Sequence, residues 1–236
     1  MRGDDVTGYD TVPYTIAYAA ELVDDPIGFE WHAGQFRLSY LPPRPGDWVT
    51  PPAQWRGEPA QILRGRVRDL HSKPDKRGPE RMRKLNTRRQ WRCIDKLLCQ
   101  VCGGPATDPE TGLIPWLLAQ TVFEGTGENS GRTNAPPTCW DCIPKALEQC
   151  PMLADAPIQC TVTSVKPAGV LADVYAPGIA RAGVLTAHNA FVGWDWHEFH
   201  HRALAVAQVV ELHGMQLVKQ PIRRSAAAAA GESPQR

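Results

Sequence analysis

Two pairs of closely spaced cysteines constrain this chain more than any other feature. The first pair lies in Cys99-Gln-Val-Cys102, and the second follows later in Cys139-Trp-Asp-Cys142. A Cys-x-x-Cys turn presents two sulfurs to one metal ion, and two such turns supply the four thiolates of a closed tetrahedral zinc site. The sequence therefore predicts one structural Zn²⁺ bound by Cys99, Cys102, Cys139 and Cys142. The alternative interpretation is four buried thiols or a redox pair.

The residues around each cysteine pair predict a local fold. Gly103 and Gly104 follow the first pair, and glycine at positive φ lets backbone amides turn toward the sulfurs. The second pair begins a predicted helix over residues 142–150, where Pro144 is tolerated because amides of the first turn lack helical partners. A turn, a hairpin and a helix start form a treble clef. We therefore expect an α+β protein, with a treble-clef zinc site, flanking short β-strands and a C-terminal helix.

Two segments carry a resemblance to known proteins, namely Leu97-Leu-Cys-Gln-Val-Cys-Gly103 and Ala135-Pro-Pro-Thr-Cys139. Over about residues 80–150 the chain resembles the treble-clef, HNH-like group of zinc-binding folds, which includes nucleic-acid-binding modules and nucleases. It is also similar to uncharacterised actinobacterial proteins with a CxxCG knuckle and a second CxxC at a helix start. This resemblance carries no activity with it.

The comparison with HNH nucleases implies a general-base histidine on the first strand of the hairpin. No histidine occurs between His71 and His188, so the segment that should hold this base lacks it. Four cysteines around one zinc ion also leave no position for an activated water. The sequence thus favours a non-catalytic protein, with an unconventional HNH-related nuclease as the alternative.

Charge is distributed unevenly along a chain whose formal net charge is only +1. Residues 73–96 contain ten Lys or Arg and three Asp or Glu, whereas residues 1–40 and 105–160 are acidic. A helix predicted over residues 79–98 would place several of these cations on one face, opposite its apolar face. Such a stripe is either a solvated face, a face paired with the acidic segments, or a phosphate-binding face. The candidate phosphate contacts are Arg81, Lys84, Arg88, Arg89 and Arg92.

Two further patterns give weaker predictions. His197-Glu-Phe-His-His201 matches the HExxH form of zinc proteases, but Asp195 and Glu198 are spaced to cap a helix instead. Helix capping is the simpler interpretation, and a second metal bound by His197 and His201 is the alternative. The proline-rich stretch 42–60 carries Trp48 and Trp55, which either pack on the core or present a surface to a protein partner.

The remaining features describe organisation and location. Seven cysteines, an odd number, argue against a complete disulfide framework, and the polar residues 1–8 do not resemble a secretory signal. The longest apolar run, 113–119, is too short to span a bilayer. We therefore expect a cytoplasmic protein without membrane contact.

Four regions are predicted. They are an N-terminal β and proline-rich region (1–72), a treble-clef zinc module (79–152), strands with a helix packed on that module (153–220), and a disordered tail (221–236). The preferred function is a zinc-stabilised binding module with DNA or RNA as the first candidate partner. A protein–protein adaptor that uses Trp48 and Trp55 is the remaining alternative.

Overall fold

The computed structural model describes residues 11–32, 34–120, 131–154 and 157–219. The strands in these ranges are β1 (Ile16–Tyr18), β2 (Ile27–His32), β3 (Gln35–Tyr40), β4 (Trp48–Val49), β5 (Ile62–Arg64), β6 (Glu80–Leu85), β7 (Ile114–Leu118), β8 (Arg132–Thr133), β9 (Ile158–Val162), β10 (Ser164–Pro177), β11 (Gly183–Gly193), β12 (Ala203–His213) and β13 (Gln216–Leu217). The α-helices that lie wholly within the same ranges are α1 (Pro74–Arg77), α2 (Thr87–Lys96), α3 (Ile143–Gln149) and α4 (His197–His200). This mixture confirms the α+β class.

The largest sheet of the described residues is built around β12. Its strands lie in the order β11–β10–β12–β5–β4, and β8 also pairs with β12. Strands β10 and β12 are long and antiparallel, whereas β5 runs parallel to β12, with Leu63 opposite Leu204. Small side chains such as Ala203 and Ala205 are fully buried on β12, where they pack with Trp194 and Trp91 in the main core.

Helix α2 is joined to this sheet by the side chain of Gln90. On one edge of β12, β5 pairs near Ala205 and β8 pairs near Val210, which leaves Gln208 between them. The buried Gln90 amide fills this gap, because its Oε1 accepts from the Gln208 amide at 2.9 Å and its Nε2 donates to the Gln208 carbonyl at 3.0 Å. One side chain thus satisfies backbone groups that would otherwise be buried without partners.

Three smaller sheets complete the strand pairing of the described residues. Strand β1 pairs with β6, β2 pairs with β3, and β9 lies between β13 and β7. A second core forms between helix α2 and the β9 sheet, where Ile94 packs with Trp116, Val162 and Leu212. Strand pairing therefore crosses the predicted region boundaries, since β1 contacts β6 and β5 contacts β12. The predicted tail at 221–236 lies outside the described residues.

The helix predicted over residues 79–98 is wrong in its first half. Residues 80–85 form strand β6, which pairs with β1, and α2 begins only after Asn86. The Asn86 side chain accepts a hydrogen bond from the Arg89 amide, as N-cap residues do. The helix ends at Leu97, which has a left-handed φ of 51°. Pairing with a distant strand has outweighed the local helical pattern.

The C-terminal helix predicted over residues 196–212 is also wrong. Only the short helix α4 forms there, and residues 203–213 are strand β12. Strand β12 lies in the middle of the sheet and is buried on both faces over much of its length. Its continuous apolar sequence therefore fits the pattern of a buried helix as well as that of a strand. The Asp195–Glu198 capping box is absent too, since the N-cap is Trp196 and makes no side-chain cap hydrogen bond.

The hairpin expected between the cysteine pairs does not form in the described residues. Strand β7 pairs with β9, which follows helix α3, whereas β8 pairs with β12. Among the described residues, a cysteine-bearing turn and a helix start are therefore present without a hairpin that pairs between them. Pro115 lies on β7, which is an edge strand of its sheet. Proline is tolerated on an edge strand because its missing amide N–H can face away from the sheet.

Candidate functional site

The four predicted ligands come together in a single cluster. The sulfurs of Cys99, Cys102, Cys139 and Cys142 all lie within 4.8 Å of one another. The Cys102 and Cys139 sulfurs are 3.9 Å apart, close to the spacing of about 3.8 Å that Zn–S bonds of about 2.3 Å impose on a tetrahedron. None of the seven cysteines forms a disulfide bond. The donor set and its spacing thus fit a tetrahedral, thiophilic metal ion rather than a disulfide.

The first cysteine pair is held by a knuckle turn. The amide of Val101 points to the Cys99 sulfur at 3.4 Å, and the amide of Gly104 points to the Cys102 sulfur at 3.4 Å. Gly103 adopts a φ of +74°, and a Cβ there would approach the Tyr14 ring to 2.9 Å. The prediction of amides turned toward the sulfurs is confirmed, with positive φ at Gly103 but not at Gly104.

The second pair is positioned by a turn that runs into helix α3. Residues Trp140–Cys142 form a 3-10 turn, and Pro144 lies in the first turn of α3, as predicted. Gln100 joins the two halves of the site, because its amide donates to the Pro137 carbonyl at 2.9 Å and its Nε2 donates to Thr138 Oγ1 at 2.9 Å.

The surroundings of the thiols are mostly apolar. Val101 and Ala106 pack with the cysteines in one buried cluster. Burial, followed by the neighbouring Cys99, raises the pKa of Cys139 to about 11. Burial acts in the same direction on Cys102, but the Gly104 amide and the adjacent thiols outweigh it and lower the pKa of Cys102. Four thiolates in such a setting need a cation among them.

The N-terminal segment covers the knuckle. The amide of Tyr14 donates to the Val101 carbonyl at 2.9 Å, and the amide of Thr15 donates to the Gln100 carbonyl at 3.2 Å. The Tyr14 hydroxyl accepts from Arg92 on helix α2 at 2.6 Å. The cluster is thus bound to the β1 segment and to α2 as well as to α3.

The structure separates the five basic residues predicted to contact phosphates. Arg81 and Lys84 lie on strand β6, where odd and even positions face opposite ways. Arg88 is exposed on α2, and Arg92 binds Asp69 at 3.1 Å. Arg89 is fully buried. They therefore do not form a single stripe, and Arg89 has no surface to offer a ligand.

Arg89 is instead the centre of a buried ion-pair network. Both Arg89 and Glu21 have no exposed side-chain surface, and Arg89 Nη2 donates to Glu21 Oε2 at 2.7 Å. Every N–H of the guanidinium has a partner; the acceptors are Glu21 Oε1 and Oε2, Asp69 Oδ1, and the carbonyls of Tyr14 and Ile16. This network joins helix α2 to the segment around β1.

Arg64 on β5, which is not among the five predicted phosphate contacts, lies near Arg88. Burial, and after it the charge of Arg88, lower the pKa of Arg64, whereas the carboxylates of Asp47 and Asp95 act in the opposite direction. Its guanidinium lies 5.7 Å from the Trp91 ring centroid. Among the described residues, neither arginine has a carboxylate within salt-bridge distance, and the nearby Asp47 is bound to Arg66 at 2.6 Å. No sequence signal marked Arg64, because β5 and α2 are joined only by the fold.

The HExxH segment does not gather metal ligands. The only group of three or more candidate ligands found among the described residues is the cysteine cluster. His200 is buried and its Nε2 lies 2.9 Å from the Gly193 carbonyl, while His197 Nε2 lies 3.7 Å from Glu58. Helix α4 has only four residues and cannot support the two-turn geometry of a protease site.

The two tryptophans of the proline-rich stretch are packed against the protein. Trp48 stacks on His32, with ring centroids 4.5 Å apart, and the Arg37 guanidinium lies 4.1 Å from the Trp48 ring. Trp55 packs against the main core and its Nε1 donates to the Glu58 carbonyl at 3.3 Å. Both side chains therefore already have partners within the fold.

Comparisons of the chain with protein-family models, with curated proteins and with solved structures found no match. The resemblance to treble-clef proteins thus rests on the motifs and the knuckle alone. None of the helices in the described part of the chain combines the length and the apolar composition that crossing a bilayer requires.

Proposed function

We propose that the cysteine cluster holds one structural zinc ion and that the protein is a zinc-stabilised, non-catalytic module that binds nucleic acid. The four-thiol donor set supports zinc, since soft sulfur ligands in tetrahedral array suit Zn²⁺. Bound zinc would fix the knuckle, α3 and the Tyr14 segment relative to one another. A shell of four protein ligands leaves no position for a reacting water, so we assign the ion no catalytic role.

One observation carries the nucleic-acid proposal: the Arg64 guanidinium lies 5.7 Å from the ring centroid of Trp91, three residues after Arg88 on α2. Neither Arg64 nor Arg88 has a carboxylate within salt-bridge distance in the described residues. Two adjacent guanidinium groups repel each other, and a phosphate between them would relieve that repulsion through charge-assisted hydrogen bonds. Trp91 is buried in the main core and supports the Arg64 guanidinium, which lies over its ring. The proposed phosphate-contacting surface is therefore Arg64 and Arg88, and the proposal does not use Arg81, Lys84, Arg89 or Arg92.

We expect Arg88→Gln to weaken binding of single-stranded DNA and RNA on every sequence alike. When one phosphate contact is lost, binding releases fewer counterions. The slope of log affinity against log salt should therefore flatten by about 0.7 per arginine. Fluorescence anisotropy with labelled oligonucleotides from low to moderate salt measures both quantities. The double variant Arg64→Gln with Arg88→Gln should flatten the slope by about twice that amount.

Arg83→Gln is the matched control for this experiment. Arg83 is exposed on β6, so the variant removes the same charge from a separate element. It should leave the salt slope unchanged. Equal losses in the Arg83 and Arg88 variants would show a diffuse charge effect instead, and no binding by the wild type at low salt would overturn the proposal.

The nuclease alternative makes a different prediction. With no histidine in the sequence between His71 and His188, the zinc-loaded protein should not cleave plasmid DNA or RNA when Mg²⁺ or Mn²⁺ is added. His188 provides a sharp check, because its Nδ1 lies 2.7 Å from Asp173 in an exposed pair that resembles a catalytic dyad. Nicking that disappears in His188→Ala would establish an enzyme and refute the non-catalytic assignment.

A further inference from the structure

A cleft lies between the second half of helix α2 and the strands β10 and β12. Its volume is about 230 Å³, and most of its wall is apolar, including Ile94, Ile114 and Val210. This is smaller than the roughly 300–1,000 Å³ of sites for drug-sized ligands, so it suits one ring system. Asp95 and Gln208 provide polar groups in the wall.

A second, more open depression of about 430 Å³ adjoins the cleft. The two share Pro52 and Asp95 in their walls, and the open one is flanked by Trp48 and Trp91. Because Arg64 lies over Trp91, this depression leads from the proposed phosphate-contacting surface toward the cleft. A strand whose phosphate lies on the arginines would pass the tryptophans before reaching the cleft.

Each depression contains a buried polar atom without a partner. Gln208 is 1% exposed, and its Oε1 accepts no hydrogen bond; Trp91 is 6% exposed, and its Nε1 donates none. The Gln208 backbone is already bound to Gln90, and its side chain hydrogen-bonds Asp95. Buried polar atoms are seldom left unsatisfied. Gln208 lines the cleft, so a rotation of its side chain would bring this buried oxygen to a donor bound there.

We propose that this cleft binds an unpaired nucleobase that donates N–H groups from its pairing edge, with guanine preferred. The inference rests on the proposed function and extends it to base selection. The apolar wall would accept the ring, Gln208 Oε1 would accept one N–H, and the Asp95 carboxylate would accept another. Guanine presents a ring N–H and an amino group side by side, whereas uracil presents one N–H and adenine and cytosine present only the amino group. The second depression, which is open to solvent, would accommodate a neighbouring base.

The test uses the zinc-loaded full chain and uridine-rich RNA decamers that carry one guanosine, one inosine or one 1-methylguanosine. Inosine lacks the amino group and 1-methylguanosine lacks the ring N–H, so each should bind about five- to tenfold more weakly than guanosine. Gln208→Met keeps the side-chain length but removes one of the two acceptors. One of the two penalties should therefore disappear, and the penalty that depends on Asp95 should remain. The salt slope of this variant should match that of the wild type.

Asp95→Asn provides a second variant at an exposed position, so it reports on the cleft even if Gln208→Met fails to fold. It should reduce the preference for guanosine without changing the melting temperature. Free guanosine, titrated by tryptophan fluorescence, tests the cleft without any phosphate contact. Saturable binding that Asp95→Asn weakens would support the proposal.

The outcomes separate the two levels of inference. Binding that depends on Arg64 and Arg88 but treats the three RNAs alike would overturn base selection and leave the proposed function intact. Binding of free guanosine without binding of RNA would overturn the proposed function and leave the guanine-binding cleft intact. If neither binds, both fail, and Gln208 Oε1 is satisfied by a buried water only.

Discussion

Cys142→Ser should lose the bound zinc and unfold the residues around the knuckle and helix α3. Cys142 is almost fully buried and supplies one of four thiols gathered from two segments of the chain. Apparent binding free energies for structural zinc are about 10–16 kcal/mol in small zinc-finger peptides, which equals or exceeds the whole stability of a typical domain. Zinc content by mass spectrometry and thermal melting by circular dichroism should show the loss together. A chelator should have the same effect on the wild type.

Cys150→Ser is the control for this prediction. Cys150 follows helix α3 directly but lies outside the sulfur cluster, so the variant should keep one zinc ion per chain. Cys99→Ser should behave like Cys142→Ser, because its sulfur belongs to the other pair of the same site. Wild-type protein purified without any zinc, or a Cys142→Ser protein that melts as the wild type does, would refute the structural-zinc assignment.

Arg89→Met should destabilise the protein by about 3–5 kcal/mol. The substitution leaves Glu21 buried without its countercharge and removes the hydrogen bonds to the Tyr14 and Ile16 carbonyls. The cost of stranding a buried carboxylate, rather than the strength of the ion pair, sets this magnitude. Urea unfolding of the zinc-loaded protein measures it.

Arg88→Met is the neighbouring control, because Arg88 is exposed and should change stability by less than about 0.5 kcal/mol. The double variant Glu21→Leu with Arg89→Met should recover much of the loss, since it removes the stranded charge as well. Equal destabilisation by the single and double variants would show that packing, not the charge, is responsible.

The same network gives a pH dependence. Burial raises the pKa of Glu21, but the Arg89 guanidinium and the Tyr18 and Leu70 amides outweigh burial and hold that pKa below the ordinary 4.5. A lowered acid pKa contributes stability that is complete above pH 4.5 and is lost as the pH falls through the folded-state value. The Arg89→Met variant should not show this loss of stability as the pH falls below 4.5.

The cysteine cluster was predictable because the residues that define it lie close together in the sequence. Spacing within each CxxC turn, Gly103 after the first and Pro144 after the second are read directly along the chain. The arginines were not predictable in the same way. Arg88 and Arg89 are adjacent and chemically alike. Arg88 is exposed, whereas Arg89 is buried and hydrogen-bonded to Glu21, which lies 68 residues away in the sequence.

The two wrong helices fail for a related reason. Residues 80–85 and 203–213 both pair with strands distant in sequence, and a central strand that is buried on both faces has no polar alternation to distinguish it from a helix. The role proposed for Arg64 was not predictable from the sequence for the same reason, because Arg64 comes near Arg88 only when β5 pairs with β12.

The position of β12 has a consequence for how the chain acquires its structure during synthesis. β5 leaves the ribosome early, yet the strand that pairs with it in parallel is among the last described segments to be made. All four cysteines lie between residues 99 and 142, so the metal cluster can assemble while β5 still lacks its neighbour. Late, long-range strand closure is slow and leaves strand edges unpaired in the meantime. Early zinc capture would then provide an ordered nucleus, and zinc-starved cells should accumulate aggregated rather than merely apo protein.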